Sequence, residues 1–106
     1  MQKYKIDDFV NGWFVGNFLP SLFETEHIEI AVKYFKAGDR EPKHFQIVAT
    51  EITVVIEGSV EINGETFSDA DIIVINPPEI AEFLSITASK LVCVKFPSYP
   101  NDKKIV

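Results

Sequence analysis

Two side chains in this sequence have the chemistry to move a proton or hold a polar ligand from a defined position. They are His44 and Glu51, both inside the segment Gly38 to Gly58, GDREPKHFQIVATEITVVIEG. An imidazole titrates near neutrality and serves as a general base there, and a nearby carboxylate can orient it or carry a shifted pKa of its own. Glu51 opens a run whose phase continues through Thr53, Val55 and Glu57, a mixed face that suits a pocket more than a dry core. Plainer readings stand beside these. His44 fits equally a polar residue at a barrel mouth, bonded to Gln46 or Glu51, and Glu51 fits a strand-end glutamate in solvent. The other histidine, His27, would reach a site only if its strand turned the polar face inward. The single cysteine, Cys93, lies in the apolar run Leu91-Val92-Cys93-Val94 and reads as a small buried hydrophobe with no chemistry.

Groups of this kind need rigid elements to position them, and the ordered segments read almost entirely as strands. From Ile28 to Tyr34 apolar and polar residues alternate with period two, which predicts a half-buried strand with Ile28, Ile30 and Val32 as the more buried set. Glu51 to Glu57 is rich in β-branched residues and stops at Gly58. Val60 to Ile62 and Glu65 to Phe67 flank Asn63-Gly64, which predicts a type I′ hairpin. Asp71 to Ile75 ends at Asn76-Pro77-Pro78, and Phe83 to Ile86 and Lys90 to Phe96 complete the set. Helical periodicity is confined to one turn near Asp7 to Val10. Asp39-Arg40-Glu41 reads as a solvated turn, and Trp13, Phe14 and Phe18 as core or interface packing. Many short strands between frequent turn signals point to a sandwich or a closed barrel.

With 106 residues, the chain has the length of one domain, 1–106, with a barrel core over about 25–97, an N-terminal strand arm and a short polar C-terminal tail expected to be mobile unless it docks. A formal net charge of -6 without a cluster of Lys and Arg opposes nucleic acid as a partner. No apolar run approaches a membrane span and the lone cysteine fits a reducing compartment, so a soluble cytoplasmic protein is expected.

The spacing in Gly38 to Gly58 resembles the first motif of the cupins: Gly, five residues, His-x-His, three or four residues, Glu, six residues, Gly. Gly38, His44, Glu51 and Gly58 match it, and Gln46 stands where the second histidine belongs. The cupin second motif aligns with Ala70 to Ala81; Asp71 takes the place of its acid and Ala81 the place of its last histidine. GNFLPSLF, KAGDREPKH and the NDK near the end are similar to a subgroup of small single-domain cupins. The resemblance implies an all-β, single-domain cupin jelly-roll β-barrel.

It also implies where a metal would sit, since cupins hold a first-row divalent ion with three histidines and a glutamate. Here His44 and Glu51 remain and Gln46 is a weak neutral donor, so no metal cofactor is expected. Were a divalent transition metal present, its ligands would be His44, Gln46, Glu51 and, by a one-residue shift in register, Glu82. The leading functional reading is a barrel pocket that binds a small polar molecule, a sugar or carboxylic acid, through His44, Gln46, Glu51 and Thr53. The rival is a carbohydrate isomerase, epimerase or lyase of the cupin type with His44 and Glu51 as catalytic candidates; a third is a structural dimer with a vestigial pocket. If Glu51, Thr53, Val55 and Glu57 face the pocket, Ile52, Val54 and Ile56 face outward and need cover, from Trp13 to Phe18 or from the second subunit of a homodimer.

Overall fold

Ten strands and two short 3-10 turns, Ile6–Asp8 and Val10–Gly12, make up the computed structural model, which describes residues 1–106. In chain order the strands are β1 (Trp13–Val15), β2 (Glu29–Phe35), β3 (Arg40–Gln46), β4 (Thr50–Glu57), β5 (Val60–Ile62), β6 (Glu65–Phe67), β7 (Ile72–Ile75), β8 (Ala81–Ser85), β9 (Ser89–Phe96) and β10 (Lys103–Ile105). They form two antiparallel five-stranded sheets, ordered β1-β2-β9-β4-β7 and β10-β3-β8-β5-β6. Between them lies a core built from Val55, Val60, Ile62, Phe83 and Leu91, with the Phe35 and Phe83 rings 4.6 Å apart. The all-β expectation holds.

Turn chemistry fixes the connections. Asn63 and Gly64 have φ of 53° and 81°, the two positive values a type I′ turn requires. The Asn63 side chain also ties the hairpin tip to β8, donating to the Ile80 carbonyl at 2.8 Å and accepting from the Glu82 amide at 2.9 Å. Gly58 has φ of 92°, and a Cβ there would stand 2.3 Å from the Ala88 carbonyl oxygen, so only glycine fits. Ala70 adopts φ of 71° despite its methyl group, which costs roughly 1–2 kcal/mol.

The structure corrects several expectations. On β2 the phase is inverted: Ala31 is fully buried with Glu29, Lys33 and Phe35 on its face, while Tyr34, in phase with Ile30 and Val32, is 61% exposed. Alternation reveals two faces and leaves open which is inside; here the inner polar groups are held by the opposite strands, and the apolar set lies outside. Arg40 and Glu41 belong to β3, paired with Leu84 and Phe83, instead of a solvated turn. Glu57 leaves the pocket face at a register shift between Val55 and Glu57, and meets Lys90 at 3.7 Å in solvent. The segment Trp13 to Phe18 does not cover Ile52, Val54 and Ile56, because β1 extends the sheet edge beside β2 and both Trp13 and Phe18 turn to the barrel mouth.

The C-terminal tail docks, through one side chain. Asp102 Oδ1 accepts the amides of Ile47 at 3.0 Å and Val48 at 2.7 Å, and Oδ2 accepts that of Ala49 at 2.9 Å. This buried carboxylate satisfies the turn between β3 and β4 and delivers β10 to β3, where Lys103 pairs with Gln46 and Ile105 with His44. Hydrogen bonds to a charged acceptor are among the stronger ones, and buried donors left without a partner are costly. Asp102→Ala is therefore expected to lower unfolding stability by about 3 kcal/mol in a denaturant titration; a loss below about 1 kcal/mol would show the turn to be held by other means.

Candidate functional site

Strand register builds the site. Because antiparallel Cα partners point to the same side of a sheet, the inner face of β2, β9 and β4 carries three rows. The outermost is Glu29–Lys95–Glu51, the next Ala31–Cys93–Thr53, and the deepest Lys33–Leu91–Val55. These rows form one wall of a cavity of about 350 Å³ that His44, Ala81 and Phe83 close from the other sheet and Trp13 from the edge.

Lys95 organises the mouth. Its Nζ lies 3.9 Å from Glu51 Oε1 and 5.0 Å from the Trp13 ring centroid, a largely buried ion pair seated on an aromatic face. Glu51 Oε2 in turn accepts the Thr53 hydroxyl at 3.0 Å. Glu29 accepts from Ser98 Oγ at 3.3 Å; burial pushes its carboxyl above the usual range, with Lys95 and the Ser98 bond opposing. Lys33 Nζ stands 5.2 Å from the Trp13 centroid, and burial pulls its ammonium below the ordinary lysine value, with Glu41 opposing. Lys103 pairs with Glu41 at 3.8 Å.

His44 is 9% exposed, and its Nδ1 lies 2.8 Å from the Pro42 carbonyl. A carbonyl only accepts, so Nδ1 carries the proton and Nε2 is the free nitrogen. The Pro42 carbonyl thus orients the ring, in place of Gln46 or Glu51. Gln46, buried, shares a small void with His44, Glu51 and Ala81. The structure brings His44, Glu51 and Thr53 onto the cavity wall and sets Gln46 behind it, in the small void beside His44 and Glu51. It adds Glu29 and Lys33, expected on an outer face, Trp13, expected in packing, and Lys95, which no local signal singled out. The pairing of Lys95 with Glu51 across β9 and β4 was the signal, and it appears only once the register is known.

The donor set does not fit a first-row metal ion. No three His, Cys, Asp or Glu side chains converge anywhere in the chain. Ala81 is the register partner of His44, so the place of the last cupin histidine is filled by a methyl group. Glu82, the possible substitute, lies on the outer phase of β8 and faces Lys43 at 4.0 Å with its side chain 53% exposed. A shift of one residue would be needed to bring it inside, and that would turn Phe83 out of the core.

No protein-family model and no curated protein matches this sequence. Solved structures do. An uncharacterized conserved protein with a double-stranded β-helix domain from Klebsiella pneumoniae superposes with a TM-score of 0.72 at 18% identity, over 99% of this chain and 91% of that one. KdgF from Halomonas sp. gives 0.62 at 20% identity over 73% and 74%. A sugar phosphate isomerase of the cupin superfamily from Silicibacter pomeroyi gives 0.61 at 14% identity over 66% of this chain and 50% of that chain. The chain therefore has the cupin, or double-stranded β-helix, fold. No helix is long and apolar enough to cross a membrane.

Cys93 lines the cavity beside Thr53, whose Oγ1 is 3.7 Å from Sγ, and burial pushes its thiol up to about 12. Since the thiolate is the reactive form, the native protein at pH 8 is expected to react with a disulfide reagent about a thousand-fold more slowly than an ordinary thiol. Stoichiometric reaction should return in denaturant; rapid native labelling would mean that the cavity wall opens.

Proposed function

We propose that the protein binds a small polar organic molecule, a sugar or a carboxylic acid, in the barrel cavity. The observation that carries this is the composition of the cavity wall. A row of three charged side chains, Glu29–Lys95–Glu51, faces aromatic and aliphatic surface across a space large enough for a monosaccharide-sized ligand. Desolvating charges is expensive, and a pocket that holds them in fixed geometry recovers the cost when a ligand with complementary hydrogen bonds enters. His44, Glu51 and Thr53 supply polar contacts from the cavity wall, with Gln46 behind them beside His44 and Glu51, and Trp13 gives a face for the less polar side of the ligand. The sugar phosphate isomerase among the structural neighbours supports a carbohydrate-related compound.

The free Nε2 of His44 favours a second reading, an isomerase, epimerase or lyase in which that nitrogen is the general base. Glu51 is committed to Lys95 and Thr53, so its role is to hold charge at the mouth. Calorimetric titration of sugars, sugar acids and sugar phosphates is expected to give one saturable site. Lys95→Met should weaken it about ten-fold or more, the range for losing a desolvated charged contact. Absence of heat for every compound overturns the binding reading. Turnover of a bound compound, abolished in His44→Ala with binding retained, establishes the enzyme reading.

We also propose that the outer face of the first sheet is covered by a second copy. Two rows of β-branched residues cross four strands there, Ile30–Val94–Ile52–Val74 and Val32–Val92–Val54–Ile72. The other cover available within the chain, Trp13 to Phe18, is engaged at the barrel mouth. An apolar face on a twisted sheet can pair with its own copy about a two-fold axis. Light scattering is expected to report a dimer that Val54→Lys dissociates; a wild-type monomer at all concentrations removes the idea.

A further inference from the structure

The three lysines of the cavity differ in one respect. Lys95 has Glu51 at 3.9 Å and Lys103 has Glu41 at 3.8 Å, whereas no carboxylate lies within 4.0 Å of Lys33. Register explains the difference. Lys95 stands between Glu29 and Glu51 in its row, while the row of Lys33 continues with Leu91 and Val55, both buried. The inward residues next to Lys33 on β2 are Ala31 and Phe35. Its amine is held against the face of Trp13, inside a cavity, with apolar side chains on the positions that would otherwise supply a counterion.

We propose that Lys33 is an amine nucleophile toward a small carbonyl compound, an aldehyde or ketone, admitted to this cavity. The proposal rests on the reading that the cavity takes small organic molecules. The Nζ lone pair forms a C–N bond to the carbonyl carbon, and the C–O bond then breaks. The oxygen leaves as water with the two hydrogens of the amine, giving an imine on Lys33, with no oxidant or reductant required.

The environment favours the neutral amine. Burial acts first on Lys33, and Lys95 and Lys103 add like-charge repulsion. Opposing them are Glu41 from β3, the Trp13 face from β1, and a smaller effect of Cys93 from β9. Glu29 and Glu51 are turned toward Lys95 at the mouth.

Reductive trapping tests the proposal with a probe that needs no recognition. Formaldehyde with cyanoborohydride at pH 7, followed by peptide mapping, should modify Lys33 faster than the exposed Lys3, Lys36 and Lys104, because a lowered pKa leaves a larger fraction of the amine neutral. Lys33→Arg should lose that fast adduct and keep its melting temperature, and Lys95→Arg should retain it. A Lys33 rate at or below that of the exposed lysines overturns the proposal. Calorimetry with pyruvate and with lactate, which lacks the carbonyl, separates the two readings. Equal binding of both without trapping of pyruvate on Lys33 leaves the cavity reading standing and overturns the amine's role. Fast formaldehyde labelling with no binding of any sugar or acid supports the reactive amine and overturns the sugar or acid ligand.

Discussion

The interior of this barrel depends on one ion pair, Lys95 with Glu51, placed where a hydrophobic core would otherwise continue. A buried pair of this kind gives little net stability, since the cost of removing both ions from water roughly matches their attraction. Its effect here is positional. Lys95 has a carboxylate on each side along its row and neutralises Glu51, leaving Glu29 short of a full counterion and dependent on Ser98. The pair also fixes Lys95 over Trp13, which sets the ring that Lys33 then uses. Charged mouth and dry base, where Val55 and Leu91 are buried, are therefore two ends of the same strands, β4 and β9.

A sheet arranged in this way carries its more uniformly apolar face on the outside. That inversion explains which parts of the fold were legible from sequence. Strand existence followed from β-branched runs and turn residues, and the Asn63-Gly64 hairpin came out with its turn type, because these signals are local. Facing did not. Ile30 and Val32 look like core residues until Glu29 and Lys33 are seen to share a face with Lys95, more than sixty residues further along the chain, and with Glu51 on a separate strand. β3 was missed because Arg40, Glu41, Pro42 and Lys43 carry no apolar alternation; its pairing is secured by β8 and β10.

The candidate site was legible to the extent that motif spacing reaches. His44, Gln46 and Glu51 could be placed together because they lie on consecutive strands joined by a short turn. Glu29, Lys33 and Lys95 could not, since each reads as an ordinary polar residue of an amphipathic strand. The alanine at position 81 was informative in the opposite sense. Its pairing with His44 shows that the missing imidazole is a substitution within an intact register, with the barrel geometry kept around it.

The Asp102 carboxylate carries a different kind of consequence. The amides it caps, at Ile47 to Ala49, are made by the ribosome up to 55 residues before it. Until residue 102 emerges, the turn between β3 and β4 has no acceptor, and the edge of β3 has no strand beside it. A contact of such sequence separation makes closure of the barrel a late, non-local event, with a slow approach to the native state typical of β-topologies. The growing chain thus passes through a stage in which the edge that carries His44 lies open, and sealing it falls to a strand that follows the other nine.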